Sequence, residues 1–166
     1  MRRLTVHTVP PGRNSLWQWP KAKHPMRVIY NFLLITISRY IPSLRLKNFI
    51  LRRTGMKIGK DAAVGVQVVF DYMWPELITL EDNCIIGYNA TILCHEFLVE
   101  EYRTGPVVVG HSALVAANAT VLAGVRVGAN AVVSAASLVN RDIPDNAFAG
   151  GVPARVIRFR DGGVTP

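Results

Sequence analysis

Proton transfer is the first chemistry the residues offer, through His95 in the segment Ile92-Leu-Cys-His-Glu-Phe97, with Glu101 just beyond. Neutral imidazole, with an ordinary pKa of ~6.5, can take a hydroxyl proton near neutral pH. A carboxylate on the far ring nitrogen would fix its tautomer, and Glu96 or Glu101 could serve there or bind an acceptor. By residue type alone His95 is more often a surface histidine at a chain corner, so its position has to decide. Cys94 is adjacent, but successive strand side chains point to opposite faces, which argues against a thiol nucleophile working beside the imidazole.

Metal and redox chemistry have weaker support. Cys84 and Cys94 lack CxxC spacing, and His7, His24, His95 and His111 lack close ligand spacing. Neither a disulfide framework nor a zinc site is expected, no metal is assigned, and a reducing cytoplasm fits. The first 23 residues carry prolines, tryptophans and charges where a signal peptide needs an apolar stretch.

The net charge of +8 is concentrated in residues 1–60 and in the run Arg155, Arg158, Arg160. Nucleic acid, an anionic membrane and the phosphates of a nucleotide cofactor all suit such a field. No nucleic-acid-binding module is recognisable. The apolar run Val28–Ile41 is interrupted by Asn31, Ser38 and Arg39, and a spanning helix needs ~20 apolar residues. Basic, amphipathic segments over 26–54, with Arg27, Arg39, Arg45, Lys47, Arg52 and Arg53, leave open a non-catalytic scaffold or membrane-surface module.

The element that must position these residues is a repeat. Val109, Val115, Val121, Val127, Val133 and Val139 recur every sixth position, and the same phase appears as Ile58, Val64, Phe70 and as Leu80, Ile86, Ile92. Period six matches neither a helix nor simple alternation; it suits short strands joined by corners where glycine or asparagine accepts positive φ. Three hexads close a triangular coil, and four coils stack into a prism about 20 Å tall. Residues 26–54 read as helical segments broken at Pro42 that cover the first coil. Extra residues after Phe70 and over Leu98–Val108 break the phase, and such insertions become loops near a working face.

This phase, the His95 segment before its insertion, and the ending Gly150-Gly-Val-Pro-Ala-Arg-Val-Ile-Arg158 resemble the hexapeptide-repeat acyltransferases of the maltose and galactoside O-acetyltransferase type. The N-terminal apolar helices look most like those of the polysaccharide-biosynthesis members. The resemblance implies an all-β fold, a left-handed parallel β-helix with N-terminal helical segments, and a homotrimer with active sites between prisms. It divides the chain into an N-terminal extension and helical cap over 1–55, a β-helix domain over 56–160 and a tail over 161–166. The implied activity is O-acetyl transfer from acetyl-CoA to a hydroxyl of a saccharide or glycan precursor, in the cytoplasm or at the inner face of the membrane.

Residue by residue, the resemblance makes His95 the general base, with Glu96 beside it. Asp71 matches a polar acceptor-binding position, often asparagine in relatives, and Glu101 is a second acceptor contact. The small stretches Leu114–Ala117 and Ser134–Ala136 match the pantetheine groove, with the Ala117 amide as thioester oxyanion donor and Ala135 lining the groove. Relatives frequently have tryptophan at the place of Leu114 and glycines at those of Ala116 and Ala117. Asn140, Arg141, Arg155 and Arg158 match contacts to the adenosine and phosphate end of CoA. Cys84 falls at a small inward position and reads as core.

Overall fold

The computed structural model describes residues 2–160; the predicted tail over 161–166 lies outside them. Residues 57–151 wind into four coils with three flat faces. The first face stacks β2 (Lys57–Ile58), β5 (Ile78–Leu80), β10 (Val107–Val109) and β13 (Arg126–Val127). The second stacks β3 (Ala63–Val64), β6 (Ile85–Ile86), β11 (Leu114–Val115), β14 (Val132–Val133) and β16 (Ala147–Gly151). The third stacks β4 (Val69–Phe70), β7 (Thr91–Ile92), β12 (Thr120–Val121) and β15 (Leu138–Val139).

All pairings within these stacks are parallel, and their register turns the hexad repeat into three interior ladders. Leu80 lies between Ile58 and Val109, Val115 between Ile86 and Val133, and Ile92 between Phe70 and Val121. These side chains are buried, and each contributes roughly 1.5–3 kcal/mol relative to exposure. One coil cannot bury its own aliphatics, so stacking is what stabilises each of them.

The three edges of the prism differ. Corners leading into and out of the second face carry one left-handed residue apiece, often asparagine, as at Asn83, Asn89, Asn118, Asn130 and Asn146. A short polar side chain tolerates that conformation better than a branched one. The edge between the third and first faces instead holds the insertions: residues 71–77, with a 3₁₀ turn at Pro75–Leu77, and residues 93–106. The second insertion is ordered as an antiparallel hairpin of β8 (His95–Phe97) and β9 (Glu101–Thr104), where the sequence pattern pointed only to a loop. The N-terminal strand β1 (Thr5–Thr8) pairs with β9 and makes the sheet three-stranded.

Both ends of the prism are covered. Helices α1 (Pro25–Ser38) and α2 (Leu44–Arg53) meet across a break that contains Pro42, and Ser43 caps α2. Lys47 donates to the carbonyls of Val64 and Gly65, Asn48 to that of Ala62, and Arg52 to those of Ile58 and Gly59. Carbonyls of the first coil that no further coil receives are thereby satisfied by side chains of α2. Lys47 is almost fully buried there, and desolvation lowers its pKa from the ordinary 10.5. At the far end β17 (Ala154–Phe159) folds back antiparallel on β16.

Candidate active site

The elaborated edge brings Asp71 and His95 together. Asp71 follows β4 and begins the first insertion, and its side chain is buried. Oδ1 accepts from the amides of Met73 and Trp74 at 2.9 and 3.0 Å, which turns the chain into the 3₁₀ segment. Oδ2 accepts from the Cys94 amide at 2.7 Å and lies 2.5 Å from Nδ1 of His95. Four N–H donors thus converge on one acceptor-only carboxylate.

Electrostatics follow from that geometry. Burial pushes the Asp71 carboxyl up, but the His95 hydrogen bond and charge and the amides of Trp74 and Cys94 outweigh it, leaving the pKa below the ordinary 3.8. An ionised carboxylate on Nδ1 puts the neutral ring's proton on that nitrogen and leaves Nε2 with its lone pair free. Nε2 makes no hydrogen bond among the described residues. The imidazole is half-buried against aromatic rings, with centroids 5.1 Å from both Trp74 and Phe97. Tyr102 stacks on Trp74 at 5.8 Å.

Neither glutamate is on the imidazole. Glu96 pairs with Arg2 through both oxygens, and Glu101 accepts from Arg103 on its own strand. Asp71, expected to meet an acceptor, has its carboxylate occupied by the chain's own donors and turned to His95. Trp74 and Arg2 escaped the sequence reading. The insertion after Phe70 marked the neighbourhood of Trp74, whereas nothing in the sequence ties Arg2 to Glu96.

Both thiols are sealed into the core. Burial pushes Cys84 up to about 11 and drives Cys94 still higher. Neither is a nucleophile at neutral pH.

A second cluster lies on another edge, between the second and third faces. Ala117 and Ala135 sit at successive coils there, linked by the bond from the Ala136 amide to the Ala117 carbonyl at 2.9 Å. Gly87 lies one coil below; a Cβ on it would come within 2.7 Å of the Ala117 nitrogen. The Ala117 amide donates to no group among the described residues. Arg155 pairs in register with Gly150 near this edge, and Arg158 lies over Phe148 at 5.1 Å, beside a cleft that also includes Leu114 and Arg160. Asn140 and the exposed Arg141 follow β15, on the His95 edge instead, and the Asn140 Oδ1 is buried without a partner. A single chain therefore does not bring His95 and Ala117 together; they stand at opposite ends of the third face.

Known proteins share this fold. The chain is 46% identical over 162 residues to a Bacillus subtilis (strain 168) protein named "Putative acetyltransferase YvoF", covering 97% of this chain and 94% of that one. The chain belongs to the hexapeptide-repeat acetyltransferases. The galactoside O-acetyltransferase of Escherichia coli (strain K12) is 32% identical over 114 residues, which is 63% of this chain and 54% of the relative. The hexapeptide-repeat acetyltransferase VCA0836 of Vibrio cholerae, solved with acetyl coenzyme A, superposes with a TM-score of 0.69 over 81% of this chain and 87% of that one at 21% identity. The prism of this acetyltransferase is accordingly the left-handed parallel β-helix. No protein-family model matches the chain.

Proposed function

We propose that this acetyltransferase moves an acetyl group from acetyl-CoA to a hydroxyl of a saccharide acceptor, with His95 as general base. One observation carries the reading: Asp71 holds Nδ1 and leaves Nε2 unpartnered on the insertion-bearing edge. Nε2 takes the hydroxyl proton as the oxygen attacks the thioester carbonyl; the C–S bond then breaks, and the imidazolium returns the proton to the departing CoA thiolate. The Ala117 amide stabilises the oxyanion, and Ala135, Asn140, Arg141, Arg155 and Arg158 receive the cofactor. No metal is needed for these steps.

Separation of His95 and Ala117 supports a homotrimer in which the His95 edge of one prism faces the Ala117 edge of the next. Release of free thiol from acetyl-CoA, screened over saccharide acceptors, tests the activity; light scattering tests the assembly. A pure scaffold releases no thiol with any acceptor, and a monomer mass at micromolar concentration removes the shared site.

A second reading concerns location. Residues 1–60 hold 13 of the 19 lysines and arginines and no aspartate or glutamate. Helices α1 and α2 also expose Met26, Ile29, Phe32, Leu33, Ile37 and Phe49. Among the described residues no helix is long and apolar enough to cross a membrane. An apolar face set among cations suits peripheral contact with anionic lipid at the cytoplasmic surface. Sedimentation with anionic but not neutral vesicles, weakened by salt, is the expected result; equal recovery with both removes this contact.

A further inference from the structure

We propose that Arg2 and His7 are positioning residues for the transfer reaction: through β1 they hold in place the hairpin that carries His95. This rests on the reading of His95 as the base.

The hairpin needs such support. Among the described residues, strand β8 belongs to none of the three prism faces and pairs only with β9. A two-stranded hairpin is marginal in water, and a third strand is what makes such a sheet persist. Strand β1 supplies it, with Thr5 opposite Thr104 and Thr8 opposite Glu101. Thr104 is in turn the cross-strand partner of His95, so the N-terminal strand acts one strand away from the base.

Two side chains reach closer. Arg2 forks onto both carboxylate oxygens of Glu96, the residue next to His95, with Nη2 to Oε2 at 2.8 Å. This ion pair is partly buried, at 18% and 24% exposure, so it is screened less than a free surface pair. His7 stacks on Tyr102 with centroids 4.4 Å apart and planes 9° from parallel, and its Nε2 lies 3.1 Å from the Thr104 hydroxyl. Tyr102 stacks in turn on Trp74, and Trp74 packs at a tilt of 54° against His95. His7 thereby extends the aromatic packing around the imidazole.

The prism is also shaped to receive this strand. The Arg3 backbone enters a slot between Gly105 and Gly124, and its amide donates to the Gly124 carbonyl at 2.9 Å. A Cβ on Gly105 would fall 2.5 Å from the Arg3 carbonyl oxygen, and one on Gly124 would fall 2.7 Å from the Arg3 nitrogen. Gly105 joins β9 to β10, so the glycine that ends the hairpin also admits the strand that braces it.

A base displaced by about 1 Å can cost ~10²-fold in rate, so loosening this sheet should appear in kcat before anything else. The test compares the full-length protein with Arg2→Ala, His7→Ala and His7→Phe, using acetyl-CoA and an acceptor the parent uses well. We expect kcat to fall by about tenfold or more in both alanine variants while CoA affinity and thermal midpoint stay near those of the parent. His7→Phe, which keeps a stacking ring, should recover most of kcat. Backbone exchange by mass spectrometry over residues 95–104 should be faster in the alanine variants. Unchanged kcat and unchanged exchange in both would overturn the proposal, as would a loss of kcat matched by equal loss of CoA affinity. If the parent releases no thiol, the base assignment falls; slow exchange over 95–104 that survives both substitutions then overturns the brace as well.

Discussion

Asp71 and His95 are 24 positions apart in the chain, yet Oδ2 and Nδ1 meet at 2.5 Å because β4 lies directly below β7. The carboxylate also takes the amide of Cys94, so the backbone entering β8 and the ring it presents are set by one group.

His95→Ala should therefore abolish transfer while leaving the prism and CoA binding nearly intact. The ring lies outside the three interior ladders, so its removal opens no cavity between coils. A loss of ~10² or more in kcat with little change in CoA affinity is the expected split in steady-state kinetics. Near-full kcat in the variant would remove His95 from the mechanism.

Asp71→Asn should lower kcat by about as much, for a reason of tautomer. With Oδ1 held by the Met73 and Trp74 amides, the new Nδ2 would face the Cys94 amide, donor against donor, and would push the His95 proton onto Nε2. A variant that folds, by circular dichroism, and keeps parental kcat would show that the tautomer does not matter.

The same carboxylate predicts an acid limb of stability. Its folded pKa lies below the ordinary 3.8, so its contribution is complete above that value and is lost as pH falls through the lower folded pKa. Thermal midpoints measured from pH 6 down to pH 3 should drop less steeply in Asp71→Asn than in the parent. Parallel curves would count against an ionised Asp71 in the native state.

Arg158→Ala should do the reverse of His95→Ala: weaker CoA binding with kcat spared at saturating acetyl-CoA. The guanidinium lies exposed over Phe148 on the second face, far from the imidazole edge. Isothermal titration with CoA decides it, and unchanged affinity would move the phosphate contacts elsewhere.

Ala136 holds φ +56°, at a corner equivalent to those where Asn89 and Asn118 stand. Left-handed backbone costs an alanine about 1–2 kcal/mol, so Ala136→Asn should stabilise the prism by about 1 kcal/mol. On a chain of this length that raises Tm by roughly 2–4 °C, readable by calorimetry. A lower Tm would mean that the alanine relieves crowding at that corner.

The interior was legible because its cause is local and repeated. A hydrophobic residue every sixth position leaves only one way to bury Val115, Val121 and Val127 together, and the sequence shows that period directly. The insertions were legible as breaks in the same count, after Phe70 and over Leu98–Val108, and pointed to loops near a working face. Which carboxylate meets the imidazole was not, because Glu96 and Asp71 are equally acidic on paper. The structure decides it: Asp71 meets the ring from the coil below, while Glu96, next to His95 on β8, points to the other face and pairs with Arg2. Strand β1 was invisible for a related reason. Four residues near the N-terminus pair with β9 almost a hundred positions later, without a period or turn to announce the partner. Such pairing is selected by the available sheet edge and by the Gly105–Gly124 slot, and both exist only once the coils have stacked.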